Sequence, residues 1–127
     1  MQSIICDIDD TLLSSGSHPI KKTVDWINNH YGRYRIVLVT GRNVSQRSET
    51  IRQLHAADIK YNQLIMNPSN PGSAENTANY KYEIGKKVKP VLAIDNNARM
   101  RQAYERAGIK SIDPKDLNDN MLKMMLH

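Results

Sequence analysis

Apolar residues fall along this chain in short blocks that alternate between two spacings. Ser3–Cys6 is short, β-branched and ends at acidic residues, which predicts a strand. Across residues 19–31, Ile20, Val24, Ile27 and Tyr31 recur at helical spacing, with Pro19 suited to the first turn. Residues 35–39 are nearly all apolar, as in a strand buried on both faces. A helix follows over 45–57 with Ile51, Leu54 and His55 on one side, then a short strand over 63–66. Residues 67–76 are loop-like in their Pro, Gly and Asn content, and 77–87 read as a helix ended by basic residues. A strand is predicted over 91–94. A helix over 97–107 turns Met100, Ala103, Tyr104 and Ala107 inward, with Gly108 as its stop. The chain closes with a strand over 109–112 and a helix over 114–126, where Met121, Met124 and Met125 share a face.

Strands alternating with helices predict an α/β fold, a Rossmann-like three-layer domain whose parallel sheet carries helices on both faces. A length of 127 residues suits one domain, taken as 1–127. Composition adds little: 39% hydrophobic and 24% charged residues are ordinary for a globular chain. No apolar run reaches the roughly 20 residues of a membrane helix, and the N-terminus lacks the pattern of a secretory signal. The single cysteine, Cys6, excludes an internal disulfide and suits a reducing cytoplasm, where it reads as a small buried hydrophobe. A net charge of +5 favours polyanionic partners.

Parallel sheets bind ligands beyond the carboxyl ends of their strands. The residues there are Asp7, Asp9 and Thr11 after the first strand, Thr40, Gly41 and Arg42 after the second, and Asp95, Asn96 and Asn97 after the fourth. Each group alone has an ordinary reading. A paired Asp-x-Asp can cap or solvate a loop, Asp95 can be a turn residue, and Thr40 can cap the next element. Together they suggest more. Carboxylates from Asp7, Asp9 and Asp95 converging on one edge repel unless a cation lies among them, and hard oxygen ligands point to Mg²⁺. Thr40, Gly41 and Arg42 offer a hydroxyl, a backbone N–H and a guanidinium to phosphate oxygens. Lys86, Lys87 and Lys89 suit a helix C-terminus, whereas Lys81 is expected in the first or second turn, where the dipole disfavours a cation and a nearby anion would explain it. The four histidines show no metal-ligand spacing and read as surface or filler.

In order along residues 3–112, these groups resemble the four motifs of the haloacid dehalogenase-like superfamily. Asp7-Ile8-Asp9-Asp10-Thr11 resembles the first, Val39-Thr40-Gly41-Arg42 the second, Lys81 the lysine of the third, and Ala93-Ile94-Asp95-Asn96-Asn97 the fourth. The resemblance implies a five-stranded parallel sheet in the order 5-4-1-2-3, and a phosphatase in which Asp7 is the nucleophile and Asp9 the general acid and base. It implies Mg²⁺ held by Asp7, the Asp9 carbonyl and Asp95, with Asn96 where a second acid often stands. Thr40 and Lys81 would hold the phosphate, and Thr11, Gly41 and Arg42 would contact the substrate. Neither gap between motifs holds a cap domain.

Within the superfamily, the segments Arg35-Ile-Val-Leu-Val-Thr-Gly-Arg42 and Met100-x-x-x-Tyr104-x-x-x-Gly108 are most similar to the phosphatase half of polynucleotide kinase-phosphatase and its small phage-type relatives. That implies phosphorylated polynucleotide ends, notably 3′-phosphates, as substrate. The other substrates considered are nucleotides, sugar phosphates and a phosphoprotein. Two further classes were weighed. A receiver domain would carry an acceptor Asp where Asn67 stands, and a non-catalytic nucleic-acid-binding module would need none of the catalytic residues. No Gly-x-x-x-x-Gly-Lys-Ser/Thr kinase loop is present.

Overall fold

The computed structural model describes residues 1–69 and 72–125, with side chains through Lys123. Five strands, β1 (Ser3–Cys6), β2 (Arg35–Asn43), β3 (Gln63–Asn67), β4 (Leu92–Ile94) and β5 (Ser111–Ile112), form one sheet in the order β3-β2-β1-β4-β5. Every neighbouring pair is parallel, and the order is the expected one read from the opposite edge. Between strands run α1 (Lys21–His30), α2 (Arg47–Ala56), α3 (Ala74–Val88) and α4 (Ala98–Arg106), and α5 (Met121–Met125) follows β5.

The two-residue period of the strands divides the core. Ile4, Cys6, Ile36 and Leu38 pack with Val24, Ile27, Leu54, Leu117 and Leu122 from the side of α1, α2 and α5. Ile5, Val37, Val39 and Ala93 pack on the other face with Tyr104 and Ile109, and with Tyr80 and Ile84 of α3. Cys6 is fully buried, as expected of a small hydrophobe. Among the described residues no helix is long and apolar enough to cross a membrane.

Four departures from the sequence pattern have identifiable causes. In α2 the inward residues are Thr50 and Leu54, while Ile51 and His55 face solvent. The Val44–Gln46 segment forms a 3-10 turn capped by Asn43, which shifts the phase of the helix behind it. In α1 the inward face is carried by Trp26, Ile27 and His30 rather than Tyr31, which is exposed. Trp26 stacks on His30 at 3.8 Å between ring centroids.

The helix expected over 114–126 is broken into a 3-10 turn, Pro114–Asp116, and the short α5. Trp26 Nε1 donates to the Asn118 carbonyl at 3.0 Å, and Leu117 is extended and buried, so residues 117–118 serve the core instead of a helix. The side chains of Met124 and Met125, expected to share a face with Met121, lie outside the described residues, as does Leu126. Finally, α3 starts at Ala74, capped by the Ser73 side chain, which puts Lys81 mid-helix rather than in its first turns.

Candidate active site

The carboxyl ends of β1 and β4 are adjacent, and the backbone keeps them so. Asp7 N–H donates to Ile94 O at 2.9 Å, and Asp95 N–H to Ile112 O at 3.1 Å, so both aspartates leave the sheet side by side. From the face above, α3 sends Lys81 between them. Its Nζ lies 3.0 Å from Asp7 Oδ1 and 2.5 Å from Asp95 Oδ2. The approach of α3 depends on Gly41 at the end of β2, where a Cβ would come within 2.9 Å of the Thr77 methyl.

The loop after β1 turns back on itself at once. Asp10 takes a left-handed φ of 59°, which Asp tolerates better than most residues, and its N–H bonds Leu13 O at 2.7 Å. The turn folds Thr11 beneath Asp7. The Thr11 hydroxyl is 3.1 Å from Asp7 Oδ2 and receives the Asn96 N–H at 3.2 Å. Thr11 is wholly buried, and its hydroxyl orients the Asp7 carboxylate.

Asp7, Lys81 and Asp95 are all buried, and their charges do not balance. Burial raises the Asp7 carboxyl to about 6; Lys81 draws it down, Asp95 pushes it further up, and the Thr11 hydrogen bond opposes. Burial by itself would lower the Lys81 ammonium, but Asp7 and Asp95 outweigh it and hold its pKa above the ordinary lysine value. Two acids share one cation, a net deficit of positive charge at the floor of the site.

The Asp7 shift has a consequence for the metal-free protein. Between 3.8 and about 6 the folded form keeps a proton that the unfolded chain has released, so stability falls as pH rises through that window. Urea unfolding of metal-free protein should show this decline, and Asp7→Asn should remove it. A decline of equal size in the variant would place the titration elsewhere.

Asp9 and Arg42 form the rim. Arg42 Nε and Nη2 donate to the two Asp9 oxygens at 3.0 and 2.7 Å. Arg42 Nη1 donates to Thr50 Oγ1 at 3.0 Å and Gln53 Oε1 at 2.7 Å. Four of the five guanidinium donors are thus engaged within the protein. The Asp9 hydrogen bond, more than any other influence, raises the Arg42 pKa. In this structure Arg42 lines the cavity and holds Asp9. Thr40 lies at the floor, nearly wholly buried, and its hydroxyl accepts the Arg42 N–H at 3.1 Å.

Asp7, Asp9, Gly41, Arg42, Lys81 and Asp95 line one open cavity of about 220 Å³, together with Asn96. The residues singled out from sequence therefore meet at or directly below one opening, with Thr11 bracing it from beneath. Two contributors were not foreseen, Thr50 and Gln53, which act from α2. Asn97 donates its N–H to Asp95 Oδ1 at 3.0 Å while its side chain caps α4. The Asn at the predicted start of that helix was a capping signal. Nothing in the sequence marked Thr50 or Gln53.

No curated protein matches the chain significantly. Chains of several solved structures share its fold, two of them as follows. One chain of a structure described as a Pnkp1/Rnl/Hen1 complex superposes with a TM-score of 0.73 at 19% identity, over 87% of this chain and 45% of that one. A second, described as the Pnkp1/Rnl/Hen1 RNA repair complex, gives a TM-score of 0.65 at 21% identity, over 87% and 41%. This chain thus spans less than half the length of either. A model of haloacid dehalogenase-like hydrolases matches residues 4–70, more than half the chain and the stretch that carries Asp7, Asp9 and Thr40. The fold then brings Lys81 and Asp95, from beyond that stretch, to Asp7, with the Lys81 ammonium between the two carboxylates, and the chain belongs to the haloacid dehalogenase-like hydrolase family.

Proposed function

We propose that this protein is a Mg²⁺-dependent phosphomonoesterase that works through an aspartyl-phosphate intermediate and acts on phosphorylated polynucleotide ends. One observation carries the reading: the Asp7 carboxylate is fixed at both oxygens, by Lys81 and by Thr11, at the floor of an open cavity. A nucleophile needs such fixed aim. An Asp7 oxygen attacks phosphorus as the bond from phosphorus to the leaving oxygen breaks, and Asp9 gives that oxygen a proton. Water then attacks the phosphoryl group, Asp9 takes its proton back, and the Asp7 carboxylate returns. Lys81 and the Thr40 hydroxyl hold phosphate oxygens, and the Gly41 turn leaves room for them.

The donor set fits a divalent ion. The Asn96 amide, with its nitrogen turned inward, donates to Asp7 Oδ2, the Asp9 carbonyl and Thr11 Oγ1 at 3.1 Å each. With its oxygen inward it completes a cluster of hard oxygens, which calls for a cation. Asp7, the Asp9 carbonyl, Asp95 and Asn96 would hold Mg²⁺, and the bound ion screens the repulsion between phosphate and carboxylate. Asn96→Asp adds the carboxylate that the site lacks. It should lower the Mg²⁺ concentration for half-maximal activity by roughly three- to tenfold. An unchanged or higher requirement would remove Asn96 from the metal set.

Three features support a large substrate. A cavity of about 220 Å³ lies below the range that encloses a whole small ligand, so it accommodates the phosphate and leaves the remainder outside. No inserted domain stands between β1 and β2 or between β2 and β3 to cover it. The +5 charge suits a polyanion. The fold it shares with chains of an RNA repair complex agrees with this substrate class. The lone, buried Cys6 suits work in a reducing cytoplasm.

The test is phosphate release across Mg²⁺ concentrations from 3′- and 5′-phosphorylated oligonucleotides, mononucleotides, sugar phosphates and an aryl phosphate. Mg²⁺-dependent release, greatest from the oligonucleotide 3′-phosphate, is the expected result. A preference for mononucleotides or sugar phosphates would keep the phosphatase and discard the polynucleotide.

A further inference from the structure

Arg42 and Asp9 meet in a side-on pair that engages both carboxylate oxygens at once, which fixes the plane of the carboxylate and not merely its distance. Among the described residues no other side chain bonds the Asp9 carboxylate. Its side chain is about half exposed, at 54%, while that of Arg42 is 15% exposed. The direction of control therefore runs from Arg42 to Asp9. Arg42 is in turn held from behind, because both Nη1 protons are taken by α2, one by the buried Thr50 hydroxyl and one by the Gln53 carbonyl. Gln53 Nε2 is itself anchored one turn back on Glu49 at 3.2 Å. Neither Thr50 nor Gln53 lines the cavity.

We propose that Thr50 and Gln53 are positioning residues that set the aim of Asp9 through Arg42, so that α2 governs proton delivery to the leaving oxygen; this rests on the function proposed above. The phase that the 3-10 turn gives α2 turns the Thr50 hydroxyl inward, where it accepts from the guanidinium, and leaves Ile51 in solvent.

A residue that aims a general acid has a signature that a purely structural residue lacks. Its loss matters in proportion to how much the leaving group needs a proton. The experiment compares kcat/KM for a series of small phosphate monoesters, from nitrophenolate to alkoxide leaving groups, in wild type, Gln53→Met, Thr50→Val and Gln53→Glu. For Gln53→Met and Thr50→Val the alkyl ester should lose about tenfold or more and the nitrophenyl ester less than about twofold, so that the dependence on leaving-group basicity steepens. Gln53→Glu keeps an acceptor for Arg42 but gives up the bond to Glu49, so its loss on the alkyl ester should be smaller than that of Gln53→Met.

Solvent exchange of the Arg42 Nε proton, followed by NMR, gives a second readout that needs no turnover. It should be slow in wild type and Gln53→Glu and faster in Gln53→Met. Equal losses across the ester series, no losses, or unchanged Arg42 exchange would each overturn the proposal. If wild type releases no phosphate from any ester, the function proposed above fails, and the exchange measurement by itself decides whether α2 holds Arg42.

Discussion

Lys81→Met should destabilise the metal-free protein by about 3–5 kcal/mol at neutral pH, the cost typical of removing one partner from a buried charge cluster. The lysine stem fits the methionine, so little volume is lost. What goes is the single cation between Asp7 and Asp95, both nearly closed to water. Against a total stability on the order of 5–15 kcal/mol, that is enough to unfold part of the population. The loss should shrink below pH 6, where Asp7 takes up a proton, since its carboxyl is already raised to about 6 with the lysine present. Mg²⁺ should restore part of it by supplying positive charge to the same carboxylates. Denaturant unfolding at two pH values, with and without Mg²⁺, measures all three effects. A loss below 1 kcal/mol, or one indifferent to pH and metal, would mean that the cluster is wetter and less coupled than its geometry indicates.

Asp7→Asn should lower phosphate release by about 10⁴-fold or more, the scale seen when a covalent nucleophile is removed. The substitution keeps shape and keeps an oxygen for Lys81, so the fold persists. It also leaves one buried carboxylate for one buried ammonium, so stability at neutral pH should hold or rise. Activity and stability moving in opposite directions would mark Asp7 as a group retained for chemistry. Residual release near the wild-type rate, in protein of unchanged fold, would place the nucleophile elsewhere.

The sheet was legible because its strands are apolar on both faces, and Ile36, Val37, Leu38 and Val39 are all fully buried as their unbroken run required. Strand order came from resemblance to a family, since periodicity cannot order strands. The floor of the site was legible because Asp7 and Asp95 each end such a run. Lys81 was found, yet its reason was misplaced: helix-dipole arithmetic does not apply in the middle of α3, and burial between two acids does. The rim was not legible. Arg42 meets Asp9 across 33 positions of sequence, through the pairing of β1 with β2 and a 3-10 turn whose effect on the phase of α2 no local pattern announces. The interruption at residues 117–118 was hidden for a similar reason, because its cause, Trp26, sits 92 residues away.

Lys81 reaches back 74 positions to Asp7 and forward 14 to Asp95. The contact with Asp7 closes a long loop, an entropic cost that the assembled sheet offsets. Until α3 docks, Asp7 and Asp95 stand side by side at the ends of β1 and β4 with no ammonium between them. Docking of α3, the crossover from β3 to β4, thus completes the site and partly neutralises its charge in one event, so a chain without it would have neither its hydrolytic centre nor a stable place to stop.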